Sequence, residues 1–250
     1  MRLSRALIAF DAVCLLLLGW LYGTDVADWV RARTAPVSAL TELPRLWFAV
    51  PVLALTGALA VVIALAVWRN RDATYRGYRL PPILVAVVLF VDVLVLGAQR
   101  IPISSADQSA MALHLAARLL SDRVGPEGVP LDANAVGEIL RGMGAPPFLV
   151  RGRRPDHFVA QVRTGCDAPV GEAPGLEAGT IIYCASRDRR VAWLTLVGLA
   201  AERRFGDPEI FTRDGLVQTT VVEAPPPPEA SAADSPASPD GAPREDGQDR

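Results

Sequence analysis

Two apolar runs of bilayer length, separated by a short segment dense in arginine, constrain this chain more than any other feature. Residues 47–68 contain no charge at all, and residues 80–98 contain one, Asp92. A hydrocarbon core of about 30 Å asks for about 20 apolar residues in a helix, and both runs meet that length. Trp47 and Trp68 close the first run, where amphipathic rings settle at the headgroup level. Pro51, Pro81 and Pro82 fall in first turns, where a missing N–H costs little. Between the runs stand Arg69, Arg71, Arg76 and Arg79.

A third apolar stretch, residues 6–22, follows Arg2 and Arg5 and contains Asp11. It reads as a signal peptide or as a retained span. No small-residue cleavage pattern follows around residues 23–27, and no lipobox precedes Cys14, so a retained span is expected. Arginine placement then sets orientation, because cytoplasmic loops carry the excess of positive charge. In the loop at 23–46, Arg31, Arg33 and Arg45 are balanced by Asp25, Asp28 and Glu42, whereas the 69–79 loop carries four arginines in half that length. Three spans in a bacterial inner (cytoplasmic) membrane would leave the N-terminus and second loop in the cytoplasm. The first loop and everything after Arg100 would stand in the periplasm.

From residue 101 to about 222 the composition becomes that of a globular domain, long enough to bury a core of its own. Ser105 to Gln108 has the form of a capping box. Leu113, Ala116, Ala117, Leu120 and Val124 then repeat on one face of a helix, which Gly125-Pro126 should stop. A second helix is expected from Asp132, an N-cap residue, to Arg141, with Val136, Ile139, Leu140 and Met143 inward. Strand patterns follow at 148–150, 157–163, 180–185 and 191–197, with a fifth at 216–222. The first two read as one hairpin and the next two as another. The expected class is α+β: three N-terminal membrane helices (1–100), a domain of two helices and a four- or five-stranded, mostly antiparallel sheet (101–222), and a disordered tail (223–250). The tail is rich in Pro, Ala, Ser and acidic residues and cannot bury enough apolar surface to order itself.

Cys166 and Cys184 bracket a Gly- and Pro-rich loop in the domain placed outside the cytoplasm, where disulfides persist, and are expected to pair. All 25 basic residues are arginine. A P-loop lysine and a Schiff-base lysine are thereby excluded. Two histidines leave little for metal, and a net charge of −2 gives no case for nucleic acid. No catalytic, cofactor or metal motif is found.

The candidate functional groups are therefore few. Asp11 and Asp92 are ionisable groups inside apolar spans, which marks them for a packing contact between spans or for a functional role. The string from Phe90 to Leu96 is similar to the proton-site span of ExbD/TolR-type stator subunits, over seven residues. Asp92 lies later in its run than that family's aspartate, and the family's function is not carried over. Two basic turns, Arg151, Arg153, Arg154 and Arg187, Arg189, Arg190, are read as ordinary charged turns or, gathered at one end of the sheet, as contacts for anionic headgroups, cell-wall carboxylates or an acidic partner. An enzymatic reading needs a pocket lined by acidic residues and His157. The expected function is a non-enzymatic interaction, scaffold or assembly module anchored in the bilayer, with an envelope protein as partner. The alternative is a subunit of a proton-driven or transport complex using Asp92.

Overall fold

The computed structural model describes residues 2–69, 80–97 and 104–225. Most of the arginine-rich loop, and the tail from residue 226 on, lie outside the described residues. Helix α1 runs from Arg2 to Thr34, α2 from Leu46 to Trp68 and α3 from Leu80 to Phe90, where the chain passes into a π-helical stretch at Val91–Leu96. Among the described residues two helices, not the expected three, are long and apolar enough to cross a membrane: Ala6–Thr34 and Leu46–Trp68. The third apolar helix is described over Leu80–Leu94, and Ala98, where its run was expected to end, lies outside the described residues. In α2 only Ala49, Val52, Thr56 and Ile63 are buried, so its apolar residues face outward almost all round. Such a surface suits lipid.

The three helices pack through a small cluster in which Leu18 and Tyr22 of α1 meet Ala49 and Val52 of α2 and Val88 of α3. Tyr22 and Phe48 stand edge to face at 5.6 Å. α1 does not stop at residue 22. Its 33 residues rise about 50 Å at 1.5 Å each, well beyond one bilayer core, and its last turns enter the folded domain.

That domain holds α4 (Ser105–Ser121), α5 (Ala133–Arg141) and the strands β2 (Leu149–Val150), β3 (Val159–Thr164), β4 (Thr180–Ala185), β5 (Val191–Gly198), β6 (Phe205–Gly206), β7 (Glu209–Ile210), β8 (Thr212–Arg213), β9 (Leu216–Val217) and β10 (Thr219–Glu223). The principal sheet has the order β10-β5-β4-β3, with β7 added on β5. Every residue of β4 is buried, as a central strand covered on both faces requires. On one face Leu113, Leu120, Val136 and Leu140 of the two helices close over Ile181, Tyr183, Leu194 and Leu196. On the other, Val170, Ala173 and Leu176 cover Ile182, Val197 and Ile210. Both helices carry the expected apolar faces, and Asp132 caps α5 by accepting from the Asn134 N–H at 3.0 Å. The cap of α4 lies one residue earlier than expected: Ser104 Oγ accepts from the Asp107 N–H at 3.1 Å and donates to its carboxylate at 2.6 Å. Helix α4 ends at Ser121, ahead of Gly125-Pro126, where Gly125 and Gly128 bridge in a tight turn.

The hairpin of β4 and β5 forms as expected, and the stretch expected as a fifth strand divides into β9 and β10, of which β10 pairs with β5. The other hairpin does not. β3 runs parallel to β4, with Val159 opposite Thr180 and Arg163 opposite Cys184. A parallel pair needs a crossover of about a dozen residues or more, and residues 165–179 supply it. The Gly- and Pro-rich loop is therefore a return strap across one face of the sheet. The Cys166–Cys184 disulfide, with Cα atoms 5.9 Å apart, ties its start to the end of β4.

β2 pairs instead with a strand from the loop between α1 and α2. This β1 (Val37–Ser38) lies between β2 and β6, antiparallel to both, with Val37 opposite Val150 and Gly206 and Ser38 opposite Leu149 and Phe205. Val37 and Ser38 are fully enclosed. The folded domain is thus completed by a segment more than a hundred residues away in sequence.

Candidate functional site

A cleft of about 870 Å³ opens where the apolar helices meet the folded domain. Its walls come from the end of α1, the stretch between β1 and α2, the first turn of α4 and the β5–β8 region. Four arginines, Arg45, Arg203, Arg204 and Arg213, face it together with three carboxylates, Asp25, Asp28 and Glu42. Arg204 donates to Asp28 at 2.6 Å, and its carbonyl accepts from the Ala39 N–H at 2.9 Å. Arg203 reaches both oxygens of Glu209 at 3.3 Å, and Arg213 donates to Asp107, in the capped first turn of α4, at 3.3 Å. Each guanidinium has five donors in a planar fork, so these contacts leave N–H groups for a further acceptor. In the sequence Asp25, Asp28, Glu42 and Arg45 serve as a topology signal, and the Arg203-Arg204 pair reads as a further basic group beside the two turns. Three acids clustered in the first loop, with an arginine pair far downstream, were the trace of a shared site.

The two basic turns are not brought together. Arg151, Arg153 and Arg154 precede β3, whose start registers with Thr180, while Arg187, Arg189 and Arg190 follow the end of β4. The six residues of β4 separate the turns by about 20 Å at 3.3 Å each. The expectation of one basic end is corrected accordingly: a parallel β3 sends its leading turn to the far end. Arg151 adopts φ 50° and its N–H donates to Pro36 O at 3.1 Å, beside α1. Arg189 adopts φ 59°, stands 3.7 Å from Glu127 and accepts from the Val129 N–H at 2.9 Å. Gly128, at φ 104°, lets the backbone pass against Arg189 where a Cβ would collide with its carbonyl. Arg190 donates to Pro225 O at 2.9 Å, where the tail begins.

Asp11 is fully enclosed, and neither carboxylate oxygen has a hydrogen-bond partner among the described residues. It therefore makes no direct pair with Asp92, which lies half-buried in the first turn of the π-helical stretch. His114 and His157 are both exposed. His157 sits at the rim of a hollow of about 280 Å³ with Asn134, Glu138 and Arg141. One carboxylate, Glu138, lines it, and no hydroxyl or thiol does. Among the described residues no three of His, Cys, Asp and Glu stand together as metal ligands would. Trp193 is half-buried and stands opposite Cys184 across β4 and β5.

Comparison with protein-family models, curated proteins and solved structures finds no match.

Proposed function

We propose that this chain is an envelope protein of the bacterial inner membrane whose periplasmic domain serves as a non-enzymatic interaction, scaffold or assembly module. The observation that carries the reading is β1. A segment between two apolar helices forms the middle strand of a small three-stranded sheet with β2 and β6 of the folded domain, so the domain is held against the helices and not hung from a free linker. The loop before α2 and the domain then share one side of the bilayer. After α2 the chain has to come back to that side, and the shorter α3 lies along the return. The arginine-rich segment at 69–79 falls on the opposite side, which suits the cytoplasm. A disulfide in the domain fits an oxidising compartment.

The test is thiol accessibility in intact cells, with a membrane-impermeant reagent and with or without reductant. Cys166, the half-buried partner of the pair, is expected to label only after reduction. Labelling that needs lysis but no reductant would put the domain in the cytoplasm and end this reading. Photo-crosslinkers at the exposed Arg153 and Arg187 should give discrete heavier adducts in native membranes. Their absence at both positions would count against an interaction module.

One observation favours the second reading, a proton-driven or transport subunit using Asp92. That carboxyl lies where α-helix turns into π-helix, a winding that recurs at functional sites. Asp92→Asn should then abolish complementation of a deletion strain while the protein still accumulates in membranes. Full complementation would remove this reading.

A further inference from the structure

We propose that the cleft between the apolar helices and the folded domain is a binding site for one phospholipid, holding a phosphodiester headgroup that carries a primary ammonium. The inference rests on the membrane reading above and deepens it. Trp20 and Trp47 are 70 % and 68 % exposed, and the contact of Tyr22 with Phe48 sets them at one level. Trp68, 84 % exposed, lies at the other end of α2, about 32 Å away for 21 residues at 1.5 Å each. That spacing is one bilayer core between two aromatic belts. The cleft begins beside the upper belt: Arg45 is two residues before Trp47, and Asp25 is three after Tyr22. It therefore lies at headgroup depth, with an apolar helix surface directly below for acyl chains.

Its chemistry matches a zwitterion. Arginine forks bind phosphate oxygens in pairs, and Arg45, Arg203 and Arg213 come to the cleft from three separate segments. Asp25 and Glu42, which line the same cleft, suit an ammonium. A cleft of about 870 Å³ exceeds what a headgroup alone needs and leaves room for its glycerol. The first turn of α4 adds the partial positive charge of a helix start.

The experiment is native mass spectrometry of the full chain released from nanodiscs of equal parts ethanolamine-, glycerol- and choline-headed phospholipid. The wild type should retain one ethanolamine lipid. Arg45→Gln combined with Arg203→Gln should lower that retention about tenfold, and Glu42→Gln should erase the preference over the glycerol headgroup while leaving some lipid bound. Arg187→Gln with Arg190→Gln, at the far end of the sheet, should change nothing. Thermal melting of each variant shows that it is folded. Glu42 makes no side-chain hydrogen bond or ion pair among the described residues, so Glu42→Gln serves if the double variant does not fold. Equal retention of all three lipids, or equal loss from both arginine pairs, overturns the proposal. So does saturable binding of glycerol 3-phosphate by protein that keeps no lipid, which would give the cleft to a soluble phosphate. Failure to remain in membranes after alkaline carbonate washing would instead overturn the membrane reading itself.

Discussion

Asp28 and Arg204 lie 176 positions apart in the chain and 2.6 Å apart in the fold. One belongs to the last turns of α1 and the other to the approach to β6, so their contact joins the apolar helix to the far end of the domain. The pair is only partly shielded, with the Asp28 side chain 15 % and that of Arg204 62 % exposed. Asp28→Asn should therefore cost only about 0–1 kcal/mol of stability, less at high salt. A chemical-denaturation midpoint that shifts much more would mean that the contact organises the cleft beyond its own charge.

The neighbouring strand carries more of that junction. Val37 is 1 % exposed between β2 and β6. Val37→Ala should destabilise the domain by about 1–3 kcal/mol through lost burial and the space left behind. Hydrogen exchange should then quicken at the Leu149 and Gly206 amides before it does in β4. A uniform change across the sheet would show that β1 unfolds only with the whole domain.

Gly198 ends β5 against the ring of Phe148, where an added Cβ would fall within 2.6 Å of the ring atom Cε2. Gly198→Ala should cost about 1–3 kcal/mol by overpacking. Phe148→Leu in the same chain should recover part of that loss, a coupling that a double-mutant cycle reads directly. Additive effects would show that the strand end moves away from the ring.

Removing the disulfide with Cys166→Ser and Cys184→Ala should cost about 3 kcal/mol. Limited proteolysis should then cut first within residues 165–179, since that strap would lose its tie to β4. Unchanged resistance would show that Val170, Ala173 and Leu176 hold the strap without it.

Two exposed turns predict an acid limb. Asp188 accepts from Ser186 Oγ at 2.6 Å and from the Arg190 N–H at 3.1 Å, and these bonds hold its carboxyl below the usual range. Glu202 is lowered chiefly by the Asp214 N–H at 2.7 Å. A carboxyl whose folded value is depressed stabilises the fold above its unfolded value, about pH 4, and loses that contribution as pH falls through the folded one. Amide exchange at Arg190 and Asp214 should quicken below about pH 4. Asp188→Asn should flatten that response at Arg190 alone.

Tyr183 predicts the opposite limb. Its hydroxyl is buried without a hydrogen-bond partner among the described residues, and burial pushes its phenol well up, with Arg189 opposing. The fold thus favours the neutral phenol. That contribution is complete below the unfolded value of about 10 and is lost as pH rises beyond it. Tyr183→Phe should be near neutral at pH 7 and should blunt alkaline unfolding in a pH-dependent melt.

Local patterns in the sequence determined much of this protein. The apolar run of α2, the inward stripes of α4 and α5, the N-cap at Asp132 and the β4–β5 hairpin all follow from contacts between near neighbours, and periodicity reads such contacts. The pairing of Cys166 with Cys184 was legible for the same reason, since both flank one poorly packed loop. Only the tertiary structure decided that β3 runs parallel to β4. Strand direction depends on where the crossover packs, and nothing in a six-residue pattern records it. Nor did any local signal show that Val37 and Ser38 enter the sheet: two residues have no period, and their hydrogen-bond partners lie more than a hundred positions away. The cleft was hidden by the same distance. Its charges are scattered over four segments, and only the closing of β1 onto β2 and β6 gathers them into one place.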